Sequence, residues 1–214
     1  MLFIAEKSVI FALTQSQTMN DKRFVGLLFV VAVVQNVLAL LTSEAVYSFY
    51  SVGRSLVSEL GDWSLAGDNA VIFNASAVLY GLLVIAGAFY IQRVFKSNLF
   101  SALLAVNGVC SFVSGVVAMN ISFEVHGTFS LIAFVGIMAA AFMSYKFVKA
   151  PLSYISVLLG ALTLSAIVLF MLGRGNSDFY LGLGAGGIER FIIYPMALWL
   201  LGFGAYLIGD SGHK

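Results

Sequence analysis

The side chains of this sequence that could do chemistry are few, and His126 is the most versatile of them. Glu124 lies two residues before it. A histidine beside an acid can act as a general base, bind a metal ion or make a structural hydrogen bond at an interface, and all three interpretations stay open at this point. The chain has only two histidines, whereas zinc sites need several ligands at recognisable spacing. We therefore assign no metal ion and no cofactor.

A second charged pair, Glu189 and Arg190, directly precedes the last long apolar run of the chain. An acid in the first turn of a helix is stabilised by the helix dipole, which would explain Glu189 without any function. An arginine at a membrane boundary needs a partner. Arg190 could hold a lipid phosphate through its guanidinium group. Alternatively, it could form an ion pair with an acid from another segment, for which the candidates are Glu59, Asp68 and Glu124.

These side chains must be positioned by an unusually apolar chain. Of its 214 residues, 61% are hydrophobic and 10% are charged, and the mean hydropathy is +1.01. Soluble domains have about 45–50% apolar and about 25% charged residues, so the composition excludes a soluble globular domain and also excludes disorder. The net charge of +1 offers no basic surface for a nucleic acid. The single cysteine, Cys110, lies in an apolar run and is interpreted as a small hydrophobe.

Six stretches are long enough to cross a bilayer as helices, which takes about 20 apolar residues. None of them contains Asp, Glu, Lys or Arg, and none alternates in polarity as a barrel strand would. The sequence therefore predicts an all-α, polytopic integral membrane protein with six transmembrane helices. The predicted spans are residues 24–41, 70–91, 99–119, 127–145, 152–172 and 191–208.

The basic residues predict the orientation of these helices. Eight of the eleven lysines and arginines lie in one set of flanking segments, and three lie in the other set. Because cytoplasmic flanks carry the excess of basic residues, we expect both termini in the cytoplasm and the protein in the cell membrane. The cytoplasmic set comprises an N-terminal segment 1–23, the connections 92–98 and 146–151, and a tail 209–214. The six-helix domain then spans residues 24–208, with outer loops 42–69, 120–126 and 173–190.

The acids are sorted to the opposite side. Seven of the ten lie in the predicted outer segments, where they are either simply solvated or part of a polar site. Asn74 lies near the outer end of the second span and is expected to join them. The expected site is an outward-facing polar pocket built from Glu59, Asp68, Asn74, Glu124, His126, Glu189 and Arg190.

Two further motifs are weaker. The pattern Gly182-x-Gly184-x-x-Gly187 matches a dinucleotide fingerprint, but it joins two predicted membrane spans and not the strand and helix of a βαβ unit, so we interpret it as a tight loop. Asn120-Ile-Ser122 is a glycosylation sequon on the predicted outer side, very close to the membrane.

Several short segments of the chain resemble one family. They are Ser58-Glu59-Leu60-Gly61, Ile72-Phe73-Asn74, Phe123-Glu124 with His126, Gly187-x-Glu189-Arg190, Tyr194-Pro195 and the run 198–207. Over about residues 20–208 the chain resembles the six-span prokaryotic membrane family labelled domain of unknown function 998. It departs from the pattern where Phe123 meets Glu124 without an intervening proline. The resemblance implies six spans and points to the same outer residues, but it implies no particular reaction.

Three functions stay open on this basis. The one we favour is binding of a lipid or amphiphile at the outer pocket, or service as a subunit of a membrane assembly or homo-oligomer, so no enzymatic activity is assigned. The alternative is an outer-face hydrolase or transferase acting on lipid headgroups, with His126 as the base, Glu124 or Glu189 orienting it, and Arg190 holding phosphate. A small-molecule transporter is disfavoured because the predicted spans carry no charge.

Overall fold

The fold is built from six long helices. The structure is a computed structural model that describes residues 2–210, with side chains from residue 17 onward, and it has no strand within that range. Each long helix contains a segment that is long and apolar enough to cross a membrane, so the all-α, multi-pass membrane architecture is confirmed. We number them α1 (Leu2–Val46), α2 (Ala70–Phe95), α3 (Asn98–Val116), α4 (Phe123–Ser144), α5 (Leu152–Gly173) and α6 (Gly184–Gly209).

Several helices extend beyond the apolar runs that predicted them. Helix α1 runs through most of the predicted N-terminal segment and continues to Val46. Helix α4 begins at Phe123, where the Ser122 hydroxyl accepts a hydrogen bond from the Val125 amide at 3.3 Å. Composition marks only the part of a helix that lies in hydrocarbon, whereas the backbone hydrogen bonds that define it continue into the interface. In the predicted tail, residues 211–214 lie outside the described residues.

The start of α6 changes the interpretation of the charged pair next to it. Because this helix begins at Gly184, Glu189 and Arg190 lie in its second turn and inside the candidate span Gly184–Gly209. The explanation of Glu189 as a first-turn acid beside the helix dipole is therefore wrong. The premise that the spans carry no charge, which disfavoured a transporter, is wrong as well.

Residues 47–69, which we call the cap, fold back over one end of the bundle. The cap contains a 3-10 helix at Val57–Gly61, a one-turn helix at Trp63–Ala66 and a second 3-10 turn at Gly67–Asn69. Asp62 starts the one-turn helix by accepting a hydrogen bond from the Ser64 amide at 2.8 Å. Val57 and Leu60 of the cap pack with Leu40 of α1 in a small apolar cluster. We call this end of the bundle the cap end.

The opposite half of the bundle is filled by aromatic side chains. Trp199 and Phe203 of α6 stack with their ring centroids 5.4 Å apart, and both are fully buried. The indole of Trp199 donates a hydrogen bond to the Ser144 hydroxyl at 3.2 Å, so its one polar group is satisfied. Phe29 and Phe100 are also fully buried in the same core cluster. The large rings therefore fill this half of the bundle.

Candidate functional site

Two adjoining cavities occupy the cap half of the bundle. The central cavity has a volume of about 130 Å³ and is lined by α1, α2, α3, α4, α6 and the cap. The lateral cavity has a volume of about 440 Å³ and lies between α4, α5 and α6. The two cavities have five lining residues in common, which we call the shared wall. These residues are Ser58, His126, Ser130, Phe134 and Glu189.

The lateral cavity combines an apolar lining with an opening at the surface of the bundle. Its interior is lined by Ile167, Phe170 and Ile192, among other apolar side chains. Two more of its lining residues, Leu131 of α4 and Met171 of α5, are 36% and 45% exposed. The cavity therefore reaches the outer surface of the bundle between α4 and α5.

His126 is held by the main chain of the preceding helix and loop. Its Nδ1 atom lies 3.1 Å from the Ser114 carbonyl oxygen and 2.9 Å from the Val117 carbonyl oxygen, and the side chain is buried. Carbonyl oxygens only accept hydrogen bonds, so Nδ1 carries a proton, and in the Nδ1–H tautomer Nε2 has a lone pair on the other side. The structural hydrogen bond expected of His126 is thus present. The expectation that Glu124 or Glu189 orients the ring is wrong, because two backbone carbonyls do so.

Glu189 joins the cap to α6 while it lines both cavities. Its Oε2 atom accepts a hydrogen bond from the Val57 amide at 2.5 Å. The side chain is 8% exposed. Among the described side chains, no lysine or arginine forms a salt bridge with it. A buried carboxylate thus lies at the wall of a cavity with a backbone amide as its partner.

Arg190 points away from the cavities and into the cap. Its Nη2 atom lies 2.5 Å from the Glu44 carboxylate and donates to the Tyr50 hydroxyl at 2.7 Å. Its Nη1 atom donates to the carbonyl oxygens of Val52 and Gly186 at 2.7 and 2.9 Å. The ion pair expected of Arg190 therefore exists. Its partner is Glu44 of α1, so the candidate acids Glu59, Asp68 and Glu124 are wrong as partners.

Tyr50 also contacts Arg190 of this ion pair. Its ring lies 5.4 Å from the Arg190 guanidinium, and its hydroxyl donates to the Leu56 carbonyl at 3.2 Å. Burial raises the pKa of Tyr50 to about 12, against the opposing effect of Arg190. The phenol therefore stays neutral at physiological pH and keeps its proton for the bond to Leu56.

Asn74 anchors the cap to α2 and lines neither cavity. Its Nδ2 atom donates to the Gly61 carbonyl oxygen at 2.8 Å, and the side chain is buried. A Cβ atom at Gly61 would collide with the Asn74 amide, so the cap can approach this closely only with glycine there. The structure thus assigns Asn74 a contact that holds the cap in place.

The remaining predicted residues lie around the rim. Glu124 is exposed and lines the lateral cavity only. Asp68 is exposed and Glu59 is half-buried, and neither lines a cavity. Asn120 is also exposed, and its side-chain oxygen accepts a hydrogen bond from the Trp63 amide at 3.2 Å. Of the predicted pocket, the structure therefore brings together only His126 and Glu189 at the shared wall, with Glu124 nearby.

Several residues of this site were not predicted from the sequence. Ser130 lies one helical turn after His126, so this spacing would have placed it on the same face once α4 was known to begin at Phe123. Arg174 lines the lateral cavity at its exposed rim, and its guanidinium lies 5.9 Å from the Phe123 ring centroid. Glu44 gives no local signal, because its contact with Arg190 joins two distant segments of the chain.

Within the described part of the chain, no group of three or more His, Cys, Asp or Glu side chains could hold a metal ion.

The comparisons with known proteins identify a family but no activity. No curated protein and no solved structure matches the chain significantly. The family described as Protein of unknown function (DUF998) matches residues 30–206. That range includes all six candidate spans in whole or in part, the cap and both cavities. The chain therefore belongs to the DUF998 family.

Proposed function

We propose that this protein binds a lipid or another amphiphile in the lateral cavity. The observation that carries the proposal is the opening of this cavity at the bundle surface, where an apolar lining leads to the polar shared wall. Its volume of about 440 Å³ lies in the range of about 300–1,000 Å³ that is typical of small-molecule sites. An acyl chain would lie against Ile167 and Phe170, and a polar head would reach His126 and Glu189.

The proposal includes an orientation in the cell membrane. We place the cap end on the outer side and both termini in the cytoplasm, because eight of the eleven lysines and arginines flank the other end. The ligand would then enter from the outer leaflet of the bilayer between α4 and α5. A lateral opening suits a lipid, since a lipid can exchange with the bilayer without crossing water.

Native mass spectrometry of gently solubilised protein tests the proposal. The wild-type protein is expected to retain a lipid, and Ala185→Phe, which adds a ring inside the lateral cavity, should reduce retention at least about tenfold. Ala205→Phe is the matched control, because it makes the same substitution on the exposed face of the same helix, away from both cavities. Equal retention in all three proteins would contradict binding in this cavity. Retained protein subunits in place of lipid would favour a role in a membrane assembly.

A second candidate function, hydrolysis or transfer at a lipid headgroup, is favoured by one observation. The Nδ1 contacts of His126 leave its Nε2 lone pair available on the shared wall, as a general base requires. None of the hydrogen bonds described for His126 joins it to a serine or cysteine side chain, so activated water would be the nucleophile. Headgroup release from phospholipid vesicles by the wild-type protein, abolished in His126→Gln, would support this candidate. Equal turnover by both proteins would remove it.

A further inference from the structure

The polar groups of the shared wall have already used their hydrogen-bond donors elsewhere. The Ser130 hydroxyl donates to the Ser114 hydroxyl at 3.1 Å, which in turn donates to the Cys110 carbonyl at 2.9 Å. The Ser58 hydroxyl donates to the Met119 sulfur at 3.7 Å. In this arrangement each serine offers its oxygen lone pairs to a ligand.

The other two polar residues of the shared wall, His126 and Glu189, also present hydrogen-bond acceptors to the cavities. His126 donates from Nδ1 to backbone carbonyls, and in this tautomer Nε2 is an acceptor. Glu189, as a carboxylate, accepts only, and one of its oxygens has the Val57 amide as its partner. All four polar side chains of the shared wall thus offer acceptors to the cavities, and Phe134, the fifth member, is apolar.

The charges around the shared wall also favour a ligand that donates hydrogen bonds over one that accepts them. Glu189 is 8% exposed, and the neighbouring Arg190 is occupied by Glu44, Tyr50 and two carbonyls of the backbone. Among the described residues that line the two cavities, the one lysine or arginine is Arg174, at the exposed rim. A buried carboxylate is costly without a positive partner, and the Val57 amide that donates to Glu189 carries no charge. An anionic head at this wall would meet lone pairs and, with Glu189 ionised, a like charge.

We propose that the shared wall binds the primary ammonium group of an amphiphile, as in the headgroup of phosphatidylethanolamine. This inference rests on the proposed function and names its ligand class. An ammonium group has three N–H donors, no acceptor and one positive charge, which complements Glu189, His126 Nε2 and the two serine oxygens. A trimethylated choline head has the charge but no N–H donor. The acceptors of the wall therefore discriminate between these two zwitterionic heads.

The test is a headgroup series with constant acyl chains. Phosphatidylethanolamine, its N-monomethyl and N,N-dimethyl derivatives, phosphatidylcholine and phosphatidylglycerol are titrated into delipidated protein, and bound fractions are read by native mass spectrometry. Affinity is expected to fall stepwise as N–H donors are removed, by at least about tenfold from phosphatidylethanolamine to phosphatidylcholine. Phosphatidylglycerol is expected to bind no better than phosphatidylcholine.

Two variants test whether the shared wall causes the discrimination between headgroups. Glu189→Gln keeps an oxygen for the Val57 amide but removes the charge and adds a donor, so the difference across the series should shrink to less than about threefold. Asp68→Asn removes an acid that is exposed and lines neither cavity, and it should leave the series unchanged. If Glu189→Gln does not fold, Ser130→Ala removes one acceptor and should weaken phosphatidylethanolamine selectively.

The outcomes separate this inference from the proposed function. Binding of all five lipids with equal affinity would overturn the ammonium site while leaving amphiphile binding intact. Binding of none of them would overturn both. Displacement of phosphatidylethanolamine by free ethanolamine at a similar concentration would show that the wall serves a soluble amine, and would overturn the lipid part of the inference.

Discussion

Glu189 and Arg190 are neighbours in sequence, and the structure gives them separate tasks. Successive residues of an α-helix point about 100° apart, so the two side chains leave α6 in different directions. Glu189 lines the cavities, whereas Arg190 reaches Glu44 and the cap. The acid is thus available to a ligand because the base next to it is already paired.

The Arg190–Glu44 pair should contribute strongly to stability. The side chains of Arg190 and Glu44 are 7% and 17% exposed, and removing one partner of a buried pair leaves a charge without compensation. Glu44→Gln should therefore destabilise the protein by about 3–5 kcal/mol, measured as the free energy of unfolding in mixed micelles.

Lys22→Gln is the control for that measurement. The Lys22–Asp210 pair at the other end of the bundle is more exposed, at 21% and 24%, so its loss should cost less than the loss of the Arg190–Glu44 pair. Equal effects of the two substitutions would show that burial does not determine the contribution of these pairs.

At the scale of elements, the cap depends on glycines at the start of α6. A Cβ atom at Gly186 would collide with the Ser55 carbonyl oxygen and lie 2.9 Å from the Val52 carbonyl oxygen. Gly184 has φ +73°, and a Cβ atom there would collide with the Gly53 carbonyl oxygen. The glycine-rich loop interpreted as a tight connection therefore also provides the docking surface for the cap.

Gly186→Ala should displace the cap without preventing the six helices from forming. The added methyl group forces residues 52–55 away from α6 and lengthens the hydrogen bonds of Arg190 and Glu189 to this segment. Hydrogen exchange of the amides of residues 50–57 should accelerate at least about tenfold. Gly209→Ala, where a Cβ would meet nothing within 4 Å, should leave this exchange unchanged. Unaltered exchange in both variants would contradict docking of the cap through Gly186.

At the scale of the whole molecule, large aromatic side chains fill one half of the bundle and the two cavities lie in the other. Trp199, Phe29, Phe100 and Phe203 are the largest fully buried side chains and fill the half away from the cap. In the cap half, small and polar side chains such as Ala133, Ser114 and Ser130 line open space. The distribution of large and small residues therefore determines where a ligand can enter.

The proposed orientation is tested by cysteine labelling of intact cells. With Cys110 replaced by alanine, Val52→Cys in the cap should react with a membrane-impermeant maleimide. Lys149→Cys, at the opposite end, should react only after the cells are permeabilised. Both positions are exposed in the structure. The reverse pattern would place the cap end in the cytoplasm and contradict the orientation drawn from the basic residues.

Much of the architecture could be predicted from the sequence because it depends on contiguous segments. A run of apolar residues longer than the hydrocarbon thickness must form a helix if it crosses the bilayer, whatever its neighbours are. The six spans follow from such runs alone. His126 and Glu189 could also be singled out, since ionisable groups beside apolar runs are rare in such a chain.

The composition of the site was decided only by the tertiary structure. Ser58, Ser130 and Phe134 join His126 and Glu189 because the cap folds back and α4 begins earlier than its apolar run. Arg190 and Asn74 were expected in the pocket, yet both hold the cap.

The physical reason lies in the range over which each interaction acts. The hydropathy of a span depends only on contiguous residues, so a span can be recognised from that segment of the sequence alone. The partner of Arg190 lies 146 positions away on α1, and the hydrogen-bond donors of the shared wall are used up by groups on other segments. Such contacts depend on how complete helices pack, so the sequence by itself determined the spans, and the packing decided which polar groups meet at the cavities.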